Sequence, residues 1–136
     1  MIIGVGHDVV EIERLRRILD KREGERFMER VLHIAELEYA QGKQGRLAEF
    51  VAGRFAAKEA IVKALGCGIG AAVGFHDVTI MPDALGKPCC SLADAAWERL
   101  GYRSSDVRVH VSISHERSIA SAFAIVEQLV AADSTN

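Results

Sequence analysis

Apolar and polar positions alternate along the chain with two different periods. Ile2 to Val5 is short and rich in β-branched residues, which predicts a strand; Gly4 and Gly6 punctuate it, and Val9-Val10 extends it. From Ile12 the period lengthens. Ile12, Leu15, Ile18 and Leu19 share one helical face, with Arg14, Arg17 and Lys21 on another. Gly24 is expected to break this helix ahead of Phe27, Val31 and Leu32. A second helical region begins near Ile34 and is interrupted at Gly42 and Gly45. It resumes as an amphipathic helix from Leu47 to Leu65, with Gly66 in the place of a C-terminal cap. Cys67-Gly68-Ile69-Gly70 then reads as a flexible loop.

Strand signals follow. Val78 to Met81 and Cys89 to Leu92 flank a turn-rich connection, Pro82 to Pro88, and together predict a hairpin with a long loop. Ala93 to Leu100 reads as a short helix carrying Trp97 and closed by Gly101. Val107, Val109, Val111 and Ile113 alternate with Arg108, His110, Ser112 and Ser114, the pattern of a strand with one buried face. Ile119 to Leu129 reads as a last strand, with Ala120, Ala122 and Ala124 on one side. The sum is an α+β fold: a small antiparallel sheet packed on one long helix. The 136 residues suit one domain, expected over residues 1–130, with a small polar tail at 131–136 expected to be flexible.

Charge refines this picture. Seventeen Lys and Arg against nineteen Asp and Glu give a net charge of −2, which argues against a charge-driven nucleic-acid or membrane binder. The distribution is uneven: residues 14 to 30 hold seven basic against four acidic side chains, and the remainder ten against fifteen. No apolar run approaches the roughly 18 residues of a membrane span, and the N-terminus lacks the basic and long apolar regions of a signal peptide. Cys67 stands alone and Cys89 and Cys90 are adjacent. That arrangement suggests neither a disulfide framework nor a zinc site, and it points to a cytoplasmic setting.

Several residues are candidates for chemistry, each with an ordinary alternative. Asp8, just after the first strand and beside Gly6, suits a metal ligand or a turn. Glu59 and Lys63 share a helix face at i and i+4, which suits a site or a simple ion pair worth roughly 0.2–0.5 kcal/mol. Gly66, Gly68 and Gly70 allow close backbone approach, yet they follow a helix C-terminus, whose dipole repels phosphate. Arg54, Lys58 and Lys63 are the cations at hand to offset that repulsion. His115, at the end of the alternating strand, suits phosphate contact or a structural turn. Cys67 has no activating base nearby in sequence, and no nucleophile elbow surrounds Ser112 or Ser114. Arg14, Arg17 and Lys21 form either a solvated face or a dock for an acidic partner.

Three blocks, taken in order, resemble the holo-(acyl-carrier-protein) synthase family of 4'-phosphopantetheinyl transferases. They are Ile3 to Ile12 with Arg14; Ala52 to Ala60 with Lys63 to Gly66 and Gly68 to Gly70; and Val111 to His115. Arg30-Val31-Leu32 with Glu36, and Gly86-Lys87-Pro88, add lesser agreement. The resemblance implies a homotrimer with active sites between subunits. It implies that Asp8 and Glu59 hold Mg2+ and, with Lys63, carry the catalysis. It places Arg54, Lys63, Gly66, Gly68, Gly70 and His115 at coenzyme A, and Arg14, Arg17 and Lys21 against apo-acyl carrier protein. Cys67 and His33 depart from the pattern, since threonine is common at both positions. The general base stays open between Glu59 and a water oriented by Asp8.

Overall fold

The computed structural model describes residues 1–129, so the tail expected at 131–136 lies outside the described residues. Strand β1 (Ile2–Glu11) runs directly into α1 (Ile12–Asp20), followed by α2 (Gly24–Val31) and α3 (Ile34–Ala40). A 3-10 segment, Gln41–Arg46, leads into the long helix α4 (Leu47–Leu65). Strands β2 (Val78–Pro82) and β3 (Pro88–Leu92), helix α5 (Asp94–Arg99), and strands β4 (Val107–Glu116) and β5 (Ile119–Gln128) complete the chain. The strands form two antiparallel sheets, one of order β1-β5-β4 and one of β2-β3. The α+β class expected from the pattern is the one found, with the sheet divided in two.

Three local expectations change. Gly24 does not break a helix; it begins α2, and the break falls at Lys21 to Glu23. Asp8 does not follow β1 but lies within it, paired with Ala122 of β5. The long helix is not amphipathic in the ordinary sense. Thirteen of its nineteen residues are buried, among them Arg54 and Lys58. It is enclosed because β1 and β5 cover one side and α1, α2 and β2 flank others, so a single apolar stripe is not enough.

Gly4 and Gly6 explain how β1 lies on α4. A Cβ at Gly4 would sit 1.8 Å from the carbonyl oxygen of Ala64, and one at Gly6 would sit 1.8 Å from that of Ala60. The glycines therefore serve close packing of strand on helix rather than a turn. Ala120, Ala122 and Ala124 do the same for β5, all fully buried on the α4 side. The helix thus meets the sheet through small residues and backbone.

A second buried contact locks the other side of α4. The Lys58 ammonium is fully buried and donates to Glu36 Oε1, the Val31 carbonyl (2.7 Å) and the Phe75 carbonyl (3.0 Å). Glu36 Oε1 also accepts from the His33 N–H at the start of α3, and Oε2 accepts from the Ile80 N–H in β2. Arg54 donates from Nε to the Ile80 carbonyl at 2.9 Å and lies 4.6 Å over the Phe50 ring. Burial pushes the Lys58 pKa down while Glu36 opposes that shift. All three Lys58 donors are used, and among the described residues no buried side-chain polar atom lacks a partner, which is the condition for a buried ion pair to be tolerated.

Gly6→Ala should destabilise the fold by roughly 1–3 kcal/mol or more, because the added methyl collides with helix backbone that has no room to yield. Chemical denaturation of the variant checks this; unchanged stability would show that β1 does not bear on α4 so closely.

Candidate active site

Because side chains alternate along a strand, Gly4, Gly6 and Asp8 share the face of β1 that lies on α4. β1 runs antiparallel to α4, from Ala64 at Gly4 to Ala60 at Gly6. Asp8 therefore lies past Ala60 toward the start of the helix, near Glu59. It is within reach of the Lys63 side chain, which leans back toward the helix N-terminus. Lys63 Nζ donates to Asp8 Oδ1 at 2.9 Å and to the His7 carbonyl at 3.2 Å. So Lys63 pairs across the interface with Asp8, not along its own helix with Glu59. Partial burial raises the Glu59 pKa above the usual glutamate range; the nearby Asp8 carboxylate adds to this, and Lys63 opposes it. Two carboxylates and one ammonium thus converge from two elements far apart in sequence. Asp8 and Glu59 offer only hard oxygen donors, which suits Mg2+, an ion that keeps several waters and takes further oxygens from substrate phosphates. Among the described residues no cluster of three or more His, Cys, Asp or Glu forms a closed metal cage.

His115, on β4, meets the same helix at another place. Its Nε2 donates to the Glu49 carbonyl at 3.0 Å. Gly53 leaves the space for its ring, since a Cβ there would come within 2.7 Å of Nε2. Gly53 and Lys63 are ten positions apart, about 15 Å along a helix at 1.5 Å per residue. His115 borders an open cavity of about 410 Å³ with Lys43, Arg46, Arg117 and Glu49 along its walls. Arg117 holds a positive φ of 29° in the two-residue turn between β4 and β5, a conformation that favours glycine. Lys43, Arg46 and Arg117 were not legible as site residues in the sequence. The available signals were weak: two cations in a glycine-broken segment, an arginine two places after His115, and a glycine inside a helix.

The remaining candidates are placed as follows. Arg54 is buried against β2 and turned to the interior, committed to Ile80. Gly66 caps α4 with φ 74°, and Gly68 and Gly70 lie in the exposed loop beyond, one turn from Lys63. Arg14 and Arg17 are exposed on α1, while Lys21 is the residue that caps it. Neighbouring Arg16 is engaged by Glu13 and Glu49. Cys67 is exposed in the loop and its thiol pKa is raised by partial burial, which disfavours the nucleophilic thiolate.

A sheet laid on a long helix through glycines, with an acidic pair and a lysine at the contact, is an α+β arrangement whose charged groups suit a phosphate ligand. The sequence model of the 4'-phosphopantetheinyl transferase superfamily matches residues 4–124, and the chain belongs to that superfamily and is an enzyme. It is 48% identical over 130 residues to a holo-(acyl-carrier-protein) synthase of Vibrio cholerae serotype O1, covering 94% of this chain and 99% of that one. It is 45% identical over 130 residues to a synthase of the same name from a Geobacillus strain, with 95% and 99% covered. The crystal structure of the Bacillus anthracis holo-(acyl-carrier-protein) synthase in complex with CoA (3',5'-ADP) superposes with a TM-score of 0.79 at 42% identity, covering 94% and 98% of the two chains.

The raised pKa of Glu59 has a consequence for stability. The folded state holds this proton to higher pH than the unfolded chain does, so the group favours folding below the ordinary glutamate range. That contribution is lost as pH rises through the raised folded value. Glu59→Gln should therefore keep or slightly raise the melting temperature at neutral pH while removing most turnover. A parallel fall in melting temperature would mean that Glu59 holds the fold together instead.

Proposed function

We propose that this enzyme transfers the 4'-phosphopantetheine group of coenzyme A to a serine of apo-acyl carrier protein. The products are holo-acyl carrier protein and adenosine 3',5'-bisphosphate, and the reaction serves fatty acid biosynthesis in the cytoplasm. The observation that carries the reading is the convergence of Asp8, Glu59 and Lys63 at the β1–α4 contact. The serine oxygen forms a bond to the phosphorus on the pantetheine side, and the bond from that phosphorus to the bridging oxygen of the leaving nucleotide breaks. Asp8 and Glu59 are the residues that would hold Mg2+, which when bound offsets charge on the pyrophosphate. Lys63 lies beside them as a cation for a phosphate oxygen. Glu59 is suited to take the serine proton directly or through a water; Asp8 is placed to orient such a water.

The wider coenzyme site is supported by the loop of Gly66, Gly68 and Gly70 and by the groove of His115, Lys43, Arg46 and Arg117. Within one chain Gly53, where His115 meets α4, lies about 9 Å along the helix from Glu59 and about 15 Å from Lys63, which favours completion of each site by a neighbouring subunit. The outer face of the β1-β5-β4 sheet supports the same reading. Val5, Val9 and Phe123 are exposed there, Phe123 to 52%, with His7 stacked on Phe123 at 4.2 Å. Such an apolar sheet face suits burial between copies in a homotrimer. Arg54, held in the interior, would act at the coenzyme by supporting the helix or after a shift of its side chain. Arg14, Arg17 and Lys21 on the basic α1 end suit an acidic carrier protein.

Mass spectrometry of a verified carrier protein after incubation with enzyme, coenzyme A and Mg2+ tests the transfer; no phosphopantetheine mass gain refutes it. Asp8→Ala and Glu59→Ala should each cripple turnover with the fold intact. Arg14→Glu should raise the Michaelis constant for the carrier about tenfold and flatten its salt dependence, as expected for an exposed steering charge. An unchanged constant removes Arg14 from the docking surface. Light scattering should give a trimer for the native chain and a smaller species for Phe123→Glu; a trimeric variant would move the interface off this face.

A further inference from the structure

The loop that leaves the active-site helix is secured at its two ends and, between them, by Ile69, which packs partly against the core. At Gly66, Gly68 and Gly70 an added Cβ would meet nothing within 4 Å, so the chain on either side of Ile69 faces open space. Its near end is the helix cap, where the Gly66 N–H bonds the Lys63 carbonyl and the Cys67 N–H bonds that of Val62. Its far end is the stretch from Ala72 to Gly74. Val73 is fully buried and its carbonyl accepts from the Gly70 N–H at 2.9 Å. The Gly74 N–H donates to Asp77 Oδ2 at 2.8 Å.

Arg99, on α5, fastens this far end from outside the loop. Its Nε donates to the Ala72 carbonyl at 2.9 Å, and its Nη2 donates to the same Asp77 Oδ2 at 2.8 Å. One planar guanidinium therefore joins the loop backbone to the carboxylate that also holds Gly74. The side chain is 43% exposed, so as an isolated surface ion pair it would contribute little to stability. Its two directed bonds instead remove freedom from a segment that is otherwise loose. Neither bond reaches β1 or α4, where Asp8, Glu59 and Lys63 stand.

We propose that Arg99 is a positioning residue for the coenzyme, bridging Ala72 and Asp77 so that loop 66–74 presents its N–H groups to the coenzyme phosphates in one arrangement. This rests on the reading of that loop as part of the coenzyme site. A loop freed at its far end must be ordered when ligand binds, and that cost falls on coenzyme binding. It does not fall on the chemical step, whose groups sit on rigid elements, or on carrier docking at α1. A lysine offers a point charge without the fork and cannot serve both acceptors in the same geometry.

The test is steady-state kinetics of the full-length enzyme and of Arg99→Ala and Arg99→Lys, with hydrogen–deuterium exchange on the free proteins. Arg99→Ala should raise the Michaelis constant for coenzyme A about fivefold or more, with kcat and the carrier constant within about twofold of native. Exchange should quicken across residues 67–74 while the β1-β5-β4 sheet and α4 keep their protection, and Arg99→Lys should recover only part of both effects. An unchanged coenzyme constant overturns the proposal, and so does a general fall in kcat and protection, which marks a purely structural residue. Native enzyme without transfer activity would refute the functional reading itself. In that event exchange still decides whether Arg99 secures the loop, and unchanged loop exchange overturns the bridge.

Discussion

The closeness of β1 to α4 is the constraint on which the rest of this molecule depends. At Gly4 and Gly6 the strand backbone lies where any side chain would strike the helix carbonyls of Ala64 and Ala60. Contact at that range leaves no slack in register. The next inward residue after Gly6 is Asp8, which lies past Ala60 toward the start of α4, and the long Lys63 side chain reaches back to it along the helix. The 2.9 Å contact between them follows from the packing. A strand one side-chain layer further out would leave Asp8 short of the helix, and the acidic pair with Glu59 would be lost.

Helix α4 answers to two environments in consecutive residues. Lys58 faces inward and closes a knot that joins α2, α3, α4 and β2; Glu59, about 100° around the helix, faces the site. Removing one partner from such a buried pair characteristically costs about 3–5 kcal/mol, because the other charge is stranded. The knot therefore holds the rotation of α4 about its own axis. The rotation in turn decides that Glu59 meets Asp8 and not the interior. Stability and chemistry are coupled through the angular step between two neighbouring side chains.

Electrostatics distribute the same way. The carboxylates of Asp8 and Glu59 gather at the β1–α4 contact, and cations line the groove around His115, which meets the helix at Gly53, about two turns from Glu59. The negative end of the helix dipole, at Gly66, is unfavourable for phosphate, so anion affinity has to come from side chains and loop N–H groups. A near-neutral total charge hides this arrangement: a basic α1–α2 segment, a basic groove and an acidic remainder.

Much of this was legible in the chain. Period-2 and period-3.6 patterns located the strands and the long helix, because those signals are local. The i, i+4 spacing of Glu59 and Lys63 and the position of Asp8 marked candidate residues, since their chemistry is carried by residue type. The pattern could not show that Lys63 pairs with Asp8 rather than with Glu59, that Arg54 turns inward, or that Arg99 grips a loop 27 residues before it. Nor could it distinguish a glycine that turns the chain from one that lets a helix approach. Each of these depends on which surfaces meet across long sequence separations, and such distances are set by packing between elements. The amino-acid order determined the elements and the chemical groups; tertiary contact alone decided which groups face one another.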